Sequence, residues 1–252
     1  MIDIHCHLTF KDFDKDREEV IEDAKKTLKA VIISGIKPED SKKALVLAEK
    51  HPGFIYVTLG LHPIHVSELT DKQIEEYMEF IRLNKHKIVG IGEVGLDYYW
   101  VKKPEEIQRM KKVFIGFLDL AKELDLPLVL HFRQALEEGF RFVTQYNIKK
   151  AVFHCFSGKK SLAQEIVGQD YYISIAPNIF RSKDVKKVAK TTPLEKILTE
   201  TDSPFLAVKG GRNLPQNVKL VVEKIAETRK ISPFEVEKAV IKNVSELFRI
   251  RV

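Results

Sequence analysis

The sequence predicts an α/β fold of the TIM type, a (β/α)8 barrel, on three observations. Eight short runs rich in Ile, Val, Leu and Phe lie near 2–5, 30–35, 54–60, 88–93, 126–131, 151–155, 171–176 and 196–201. Most lack polar alternation, as expected of strands buried on both faces. Segments of helical periodicity separate them, and the 252-residue length matches the ~250 that such a barrel uses. An open doubly wound sheet shares the alternation of strands and helices. It would scatter the polar strand-end residues along an edge, whereas a barrel gathers them. No internal repeat, low-complexity tract or Pro/Ser-rich linker divides the chain, so one domain over 1–252 is expected.

The first run carries Asp3-Ile4-His5-Cys6-His7-Leu8. Side chains alternate in a strand, so Asp3, His5 and His7 share a face. Val20, Ala24, Thr27 and Leu28 then line one helix face, and Ile74, Tyr77, Met78 and Ile81 another. The fourth run ends on Glu93. After it Pro104 and two glutamates open the clearest helix, with Ile107, Met110, Phe114, Phe117 and Ala121 as its stripe. The fifth run ends on His131 and the sixth carries His154. Leu162, Ala163, Ile166 and Val167 follow, then Val185, Val188 and Ala189 behind an N-cap at Ser182. Asp202 ends the eighth run. A helix is expected over 215–229, a second opened by the capping box Ser232-Pro233-Phe234-Glu235, and a further short one beginning near Asn243 and Glu246.

In such barrels the active site lies at the C-terminal ends of the strands. There His5, His7, Glu93, His131, His154 and Asp202 converge. Each alone has an ordinary reading: a hydrogen-bonded core histidine, a turn-capping aspartate, a loop glutamate between Gly92 and Gly95. Together, buried imidazoles and carboxylates partner each other most cheaply through metal. Six ligands exceed what one ion with an open position needs and suit two divalent ions. Glu93 is the expected bridge, with His5, His7 and Asp202 on one ion and His131 and His154 on the other. Water activated by both ions becomes a nucleophile, with Glu93 and Asp202 as catalytic carboxylates. Histidine-rich ligation favours zinc or manganese over magnesium. Cys6 and Cys155 alternate to the opposite strand face and read as packing residues.

Composition narrows the setting. No run of about 18 apolar residues spans a membrane, and the N-terminus has no basic region followed by an apolar stretch. Two cysteines fit a reduced, cytoplasmic protein. The formal charge of +6 suits a polyanionic substrate, while 31% charged residues equally suit a thermophile-like surface.

These residues also carry a family resemblance. Asp3-Ile4-His5-Cys6-His7-Leu8, Gly60-Leu61-His62-Pro63, Gly92-Glu93-Val94-Gly95-Leu96-Asp97-Tyr98, His154-Cys155-Phe156-Ser157-Gly158 and Glu200-Thr201-Asp202-Ser203-Pro204-Phe205-Leu206 resemble the TatD family of metal-dependent deoxyribonucleases, barrels of the amidohydrolase superfamily. The likeness runs almost end to end, through Arg212-Asn213 and Pro215. It implies a magnesium-dependent nuclease trimming DNA from the 3′ end, with the same six ligands. The chain departs where the family carries an aspartate after His131-Phe132-Arg133, having Gln134 there. Ile64 stands where a histidine is usual, with His65 one place later, and Pro177-Asn178 replace a glycine-rich turn. All these positions face substrate.

Hydrolysis of phosphodiester bonds, with single-stranded DNA ends as the partner, is therefore the leading expectation. Arg133 and His62 are the expected substrate contacts. For Arg133 a structural ion pair is an equal alternative. The basic loop Lys209-Gly210-Gly211-Arg212 reads as a phosphate contact or a solvated turn, and Trp100 as a base-stacking or loop-packing residue. A small ester, lactone or amide hydrolase uses the same rim, since function lies in the substrate loops. A non-catalytic nucleic-acid binder has no need of six ligands, and no such binding signature is found. Nothing in the sequence predicts a protein partner.

Overall fold

The computed structural model describes residues 1–251. Eight parallel strands lie in chain order: β1 (Ile2–Cys6), β2 (Ala30–Gly35), β3 (Ile55–Leu59), β4 (Gly90–Asp97), β5 (Leu128–Arg133), β6 (Ala151–Phe153), β7 (Tyr172–Ile175) and β8 (Ile197–Thr199). The β8 strand stops before it forms a regular ladder with β1. Backbone bonds just beyond it close the barrel, Asp202 N donating to His5 O at 2.9 Å and His7 N to Ser203 O at 2.7 Å. Deeper in the seam, the buried Asp3 carboxylate accepts from Thr201 N at 2.9 Å and from the Thr201 hydroxyl at 2.5 Å. Asp3 thus holds the barrel shut rather than lining its mouth.

The helices are α1 (Arg17–Lys25), α2 (Pro38–Lys50), α3 (Asp71–Leu83), α4 (Pro104–Leu124), α5 (Leu136–Gln145), α6 (Lys160–Gly168), α7 (Lys183–Thr191), α8 (Val218–Arg229) and α9 (Pro233–Phe248). The α4 stripe is buried as its period predicts, with Met110, Phe114, Phe117 and Ala121 against the sheet. Such a Phe contributes about 1.5–3 kcal/mol on burial. Ser182 accepts from Val185 N, and Ser232 and Glu235 form the expected capping box.

Two helical expectations need correction. The 215–229 segment begins as a 3-10 turn at Pro215–Asn217 before α8. No new helix starts at Asn243, because α9 runs unbroken through it. The Asn243 amide faces inward and donates to the carbonyls of Leu194 and Ile197 at 2.9 and 2.8 Å. A buried Asn whose amide nitrogen ties down neighbouring segments imitates a helix start in sequence.

Candidate metal centre

Two irregularities in the barrel aim the central side chains. Between Asp3 and Cys6, β1 advances three residues while β2 advances two, from Val31 to Ile33. Likewise β4 advances from Ile91 to Val94 against Leu128 to Leu130 on β5. One extra residue on each strand is a bulge, which re-aims a side chain without ending the strand. These two strands supply His5 and Glu93, and His7 follows directly after the first. Glu93 consequently sits inside β4, four residues before its end at Asp97, and not at the strand terminus that the sequence suggested. Gly95 makes this packing possible. It lies at φ +156°, and a Cβ there would meet the His131 carbonyl oxygen at 1.8 Å.

The six sequence-predicted ligands are brought together around the Glu93 carboxylate, which is only 3% exposed. Its Oε2 lies 3.2 Å from His5 Nε2 and 3.7 Å from His7 Nε2. Asp202 Oδ1 completes that group, 3.7 and 3.3 Å from the same two nitrogens. Asp202 reaches it from the left-handed region at φ 54°, a conformation Asp tolerates better than most residues. On the other side, Glu93 Oε1 lies 2.7 Å from His131 Nδ1 and 2.9 Å from His154 Nε2. His62 Nε2 stands 3.4 Å from the same oxygen.

The donor set fits cations. His131 Nε2 is 3.2 Å from Asp97 Oδ2, so this nitrogen carries the proton. The Nδ1 lone pair is then directed at a carboxylate oxygen, an arrangement that only a shared proton or a cation makes favourable. His5 Nε2 is buried and forms no hydrogen bond despite its two carboxylate neighbours. Ligand atoms of His5, His7 and Glu93, and of His62, Glu93 and His131, lie within 4.8 Å of one another. His62 differs in one respect: its Nδ1 accepts from Ile64 N at 3.3 Å, which leaves Nε2 as a donor rather than a metal ligand.

Sequence reasoning missed the residues behind these imidazoles. Asp97 orients His131. Glu200, wholly buried, lies 3.4 Å from His154 Nδ1 and accepts from the Ser174 hydroxyl at 2.5 Å. Behind His5 stands a hydroxyl instead, Ser34 Oγ at 3.0 Å from Nδ1, itself 3.1 Å from Thr58 Oγ1. Glu200 had a readable signal, since it precedes Asp202 by one strand period at a buried strand end. The hydroxyls had none.

The charges are strongly coupled. Burial pushes the Glu93 carboxyl up, but His154, His62 and His5 outweigh it and hold the group well below the usual carboxylate range. Burial lowers His154, yet Glu93 and Glu200 together raise it well above the ordinary imidazole value. For His5, burial and then the neighbouring His154 win, and its pKa falls.

Above the cluster opens a cavity of about 940 Å³ lined by His62, Arg133, Trp100, Phe205, Lys11 and Lys43 among others. Arg133 is exposed and makes no ion pair among the described residues. Its guanidinium carbon lies 4.1 Å from the Tyr99 ring centre and 5.9 Å from that of Trp100. Trp100 is 63% exposed and so does not pack its loop. That loop is held by Asp97 Oδ1, which accepts from Tyr99 N and Trp100 N at 2.8 and 3.0 Å. Arg212 is not free for phosphate, being fixed to both Asp16 carboxylate oxygens at 2.8 and 2.5 Å. Cys6 packs as expected, buried beside Ile32. Cys155 does not: β6 ends at Phe153, alternation stops there, and Cys155 turns at φ 45° to line the cavity.

The sequence profile described as TatD related DNase matches residues 2–249. An uncharacterized metal-dependent hydrolase of Methanocaldococcus jannaschii is 39% identical over 252 residues, covering 100% of this chain and 98% of that one. The human deoxyribonuclease TATDN3 is 34% identical over 258 residues, covering 98% of this chain and 94% of its own. Among solved structures, the TatD homologue YjjV of Escherichia coli K12 superposes with a TM-score of 0.93 at 28% identity, covering 100% of this chain and 98% of that one. With these matches across the length of an eight-stranded parallel barrel, the chain belongs to the TatD family of metal-dependent hydrolases.

Proposed function

We propose that the protein is a deoxyribonuclease that removes nucleotides from the 3′ ends of single-stranded DNA, acting as one barrel domain with two divalent ions. The observation carrying this reading is the division of one carboxylate between two histidine groups. Glu93 Oε2 faces His5 and His7, and Oε1 faces His131 and His154. A single ion would use one side and leave the other set of buried donors unsatisfied. The DNA preference is supported by the 34% identity to a deoxyribonuclease and by the Arg133, Trp100 and Phe205 side chains in the lining of the cavity.

His5, His7 and Asp202 would hold one ion, His131 and His154 the other, with Glu93 common to both. When bound, such ions supply Lewis acidity to a phosphoryl oxygen and lower the pKa of water toward neutrality. The protein's own groups do the rest. Asp202, reached by solvent on its cavity side, accepts the proton of the attacking water. His62 Nε2 donates to a phosphoryl oxygen, and Arg133, stacked on Tyr99, binds the neighbouring phosphate as a planar fork. Trp100 offers its exposed face to the terminal base.

The test is the purified protein with magnesium, manganese or zinc against labelled single-stranded DNA, RNA and a panel of neutral lactones and esters. Shortening of DNA from its 3′ end is expected. Rapid turnover of a neutral lactone, with DNA left uncut under every metal, would replace this reading with a small-molecule hydrolase.

A further inference from the structure

Next to the catalytic cavity lies a second one of about 440 Å³, between α1 and the exposed face of α2. The two share Thr9 and Lys43, so they form one continuous path over the β1–β2 side of the rim. We propose that this groove binds the sugar-phosphate backbone of a single DNA strand whose end is held at the metal centre. The proposal rests on the nuclease reading and adds a site several nucleotides from the scissile bond.

The wall of the groove is a row of cations at helical spacing. Lys42, Val46 and Lys50 follow one ridge of α2, and Lys43 and Lys50 another, two turns apart. Seven residues of helix span about 10 Å, the rise of roughly three stacked nucleotides at ~3.4 Å each. Lys42 and Lys43 have no carboxylate within ion-pair distance among the described residues, and Lys50 has only Glu18 at 3.8 Å. The acids of the groove are otherwise engaged: Asp14 lies 2.5 Å from Arg17 Nη2 and Glu18 Oε2 lies 3.0 Å from His51. Arg17 is spoken for as well, donating to the Leu8 carbonyl at 2.6 Å. Lys42 and Lys43 therefore remain to meet an external anion, and Lys50 shares its one long contact, Glu18, with His51. Val46, half exposed between Lys42 and Lys50, gives the sugars an apolar floor.

Lysine heads are point charges that accept any phosphate orientation. With no amide or guanidinium fork free to read base edges, the groove would hold DNA of any sequence. Lys11, in the catalytic cavity, and Lys43, on the boundary, extend the cations toward the metal centre beside Asp12, Glu39 and Asp40, the last of which accepts from Thr9 and from Ile36 N.

The test measures kcat and KM of the full-length protein, loaded with the metal that supports cleavage, on oligothymidylates of about 3 and about 12 nucleotides. The wild-type protein should prefer the longer substrate by about tenfold in kcat/KM, expressed in KM. That preference should fall about sevenfold between roughly 50 and roughly 200 mM salt, as two extra phosphate contacts on a single strand require. In Lys42→Glu/Lys50→Glu the length preference should collapse to about twofold, with Lys42→Gln/Lys50→Gln between. These residues lie on an exposed helix face, and unchanged circular dichroism verifies folding. Equal use of both lengths by the wild type, or a preference that survives in the charge-reversed variant, overturns the groove while leaving the nuclease reading intact. Failure to cut either oligonucleotide with any metal overturns both.

Discussion

The two halves of the proposed metal centre share Glu93 but are backed by different chemistry. Behind His5 stands the neutral pair Ser34 and Thr58. Behind His131 and His154 stand the carboxylates Asp97 and Glu200. A carboxylate behind a ligating imidazole fixes its tautomer and raises its basicity, whereas a hydroxyl only orients it. The Oε1 side should therefore bind its ion more tightly, and the Oε2 side, with Asp202 at its edge, should be the more exchangeable and the more directly catalytic.

The largest effect tests whether Glu93 joins the halves. Glu93→Gln removes the one group common to both, so elemental analysis after metal loading should fall from near two ions per chain toward none. Activity should disappear with it, as it should for the wild-type protein after exhaustive chelation. His5→Ala should empty mainly one position and His154→Ala the other. Full activity after chelation would sink the metal mechanism altogether.

Asp202 comes next. It touches both histidines of the Oε2 group, yet part of its carboxylate meets solvent. Asp202→Asn should keep most of the metal and the substrate affinity while lowering the maximal rate about 10²-fold or more, the loss of a general base. A variant retaining most of its rate would assign the proton to another residue.

The comparison sharpens at the residues behind the imidazoles. Glu200→Gln should weaken metal binding about 10- to 100-fold, read by titration calorimetry on the metal-free protein. Ser34→Ala should change it only a few-fold, since a hydroxyl adds little basicity. Equal losses would show that orientation, not charge, is what these groups supply.

How much of this was legible in the sequence follows physical lines. The barrel was, because its strands are nearly continuous apolar runs and its longest helix, α4, has an unbroken stripe. The six converging residues were, because His and Glu rarely follow such runs by chance. Helix α2 was not, since Lys42, Lys43, Glu49 and Lys50 dilute its stripe, and neither was the ten-residue α5, whose start at Leu136 has no cap. Position along a strand also escaped. The bulges at His5 and Glu93 are register shifts against a neighbour, which one strand's own pattern cannot contain. Cys155 was misplaced for a related reason, as alternation was extended past the end of β6. Pairwise support such as Glu200 behind His154 joins residues far apart in the chain, and only the fold brings them together.

The smallest expected effect lies at the mouth, where Arg133 leans on Tyr99. It has no carboxylate partner among the described residues, so its removal leaves no buried charge behind and should not unfold the protein. The Tyr99 ring holds the guanidinium without neutralising it, which leaves the fork open to a phosphate. Arg133→Ala should then raise KM for single-stranded DNA about tenfold, the loss of one charge-assisted pair. The salt dependence of KM should become shallower by about 0.7 in logarithmic slope, the contribution of one phosphate on a single strand. Metal content should not change, because His131, two residues earlier, is held by Asp97 rather than by Arg133. Hydrolysis of a neutral ester should be equally indifferent to the mutation and to salt. If Arg133→Ala lowers kcat instead, with KM and the salt slope unmoved, the residue positions the Tyr99–Trp100 loop and the phosphate contact belongs elsewhere.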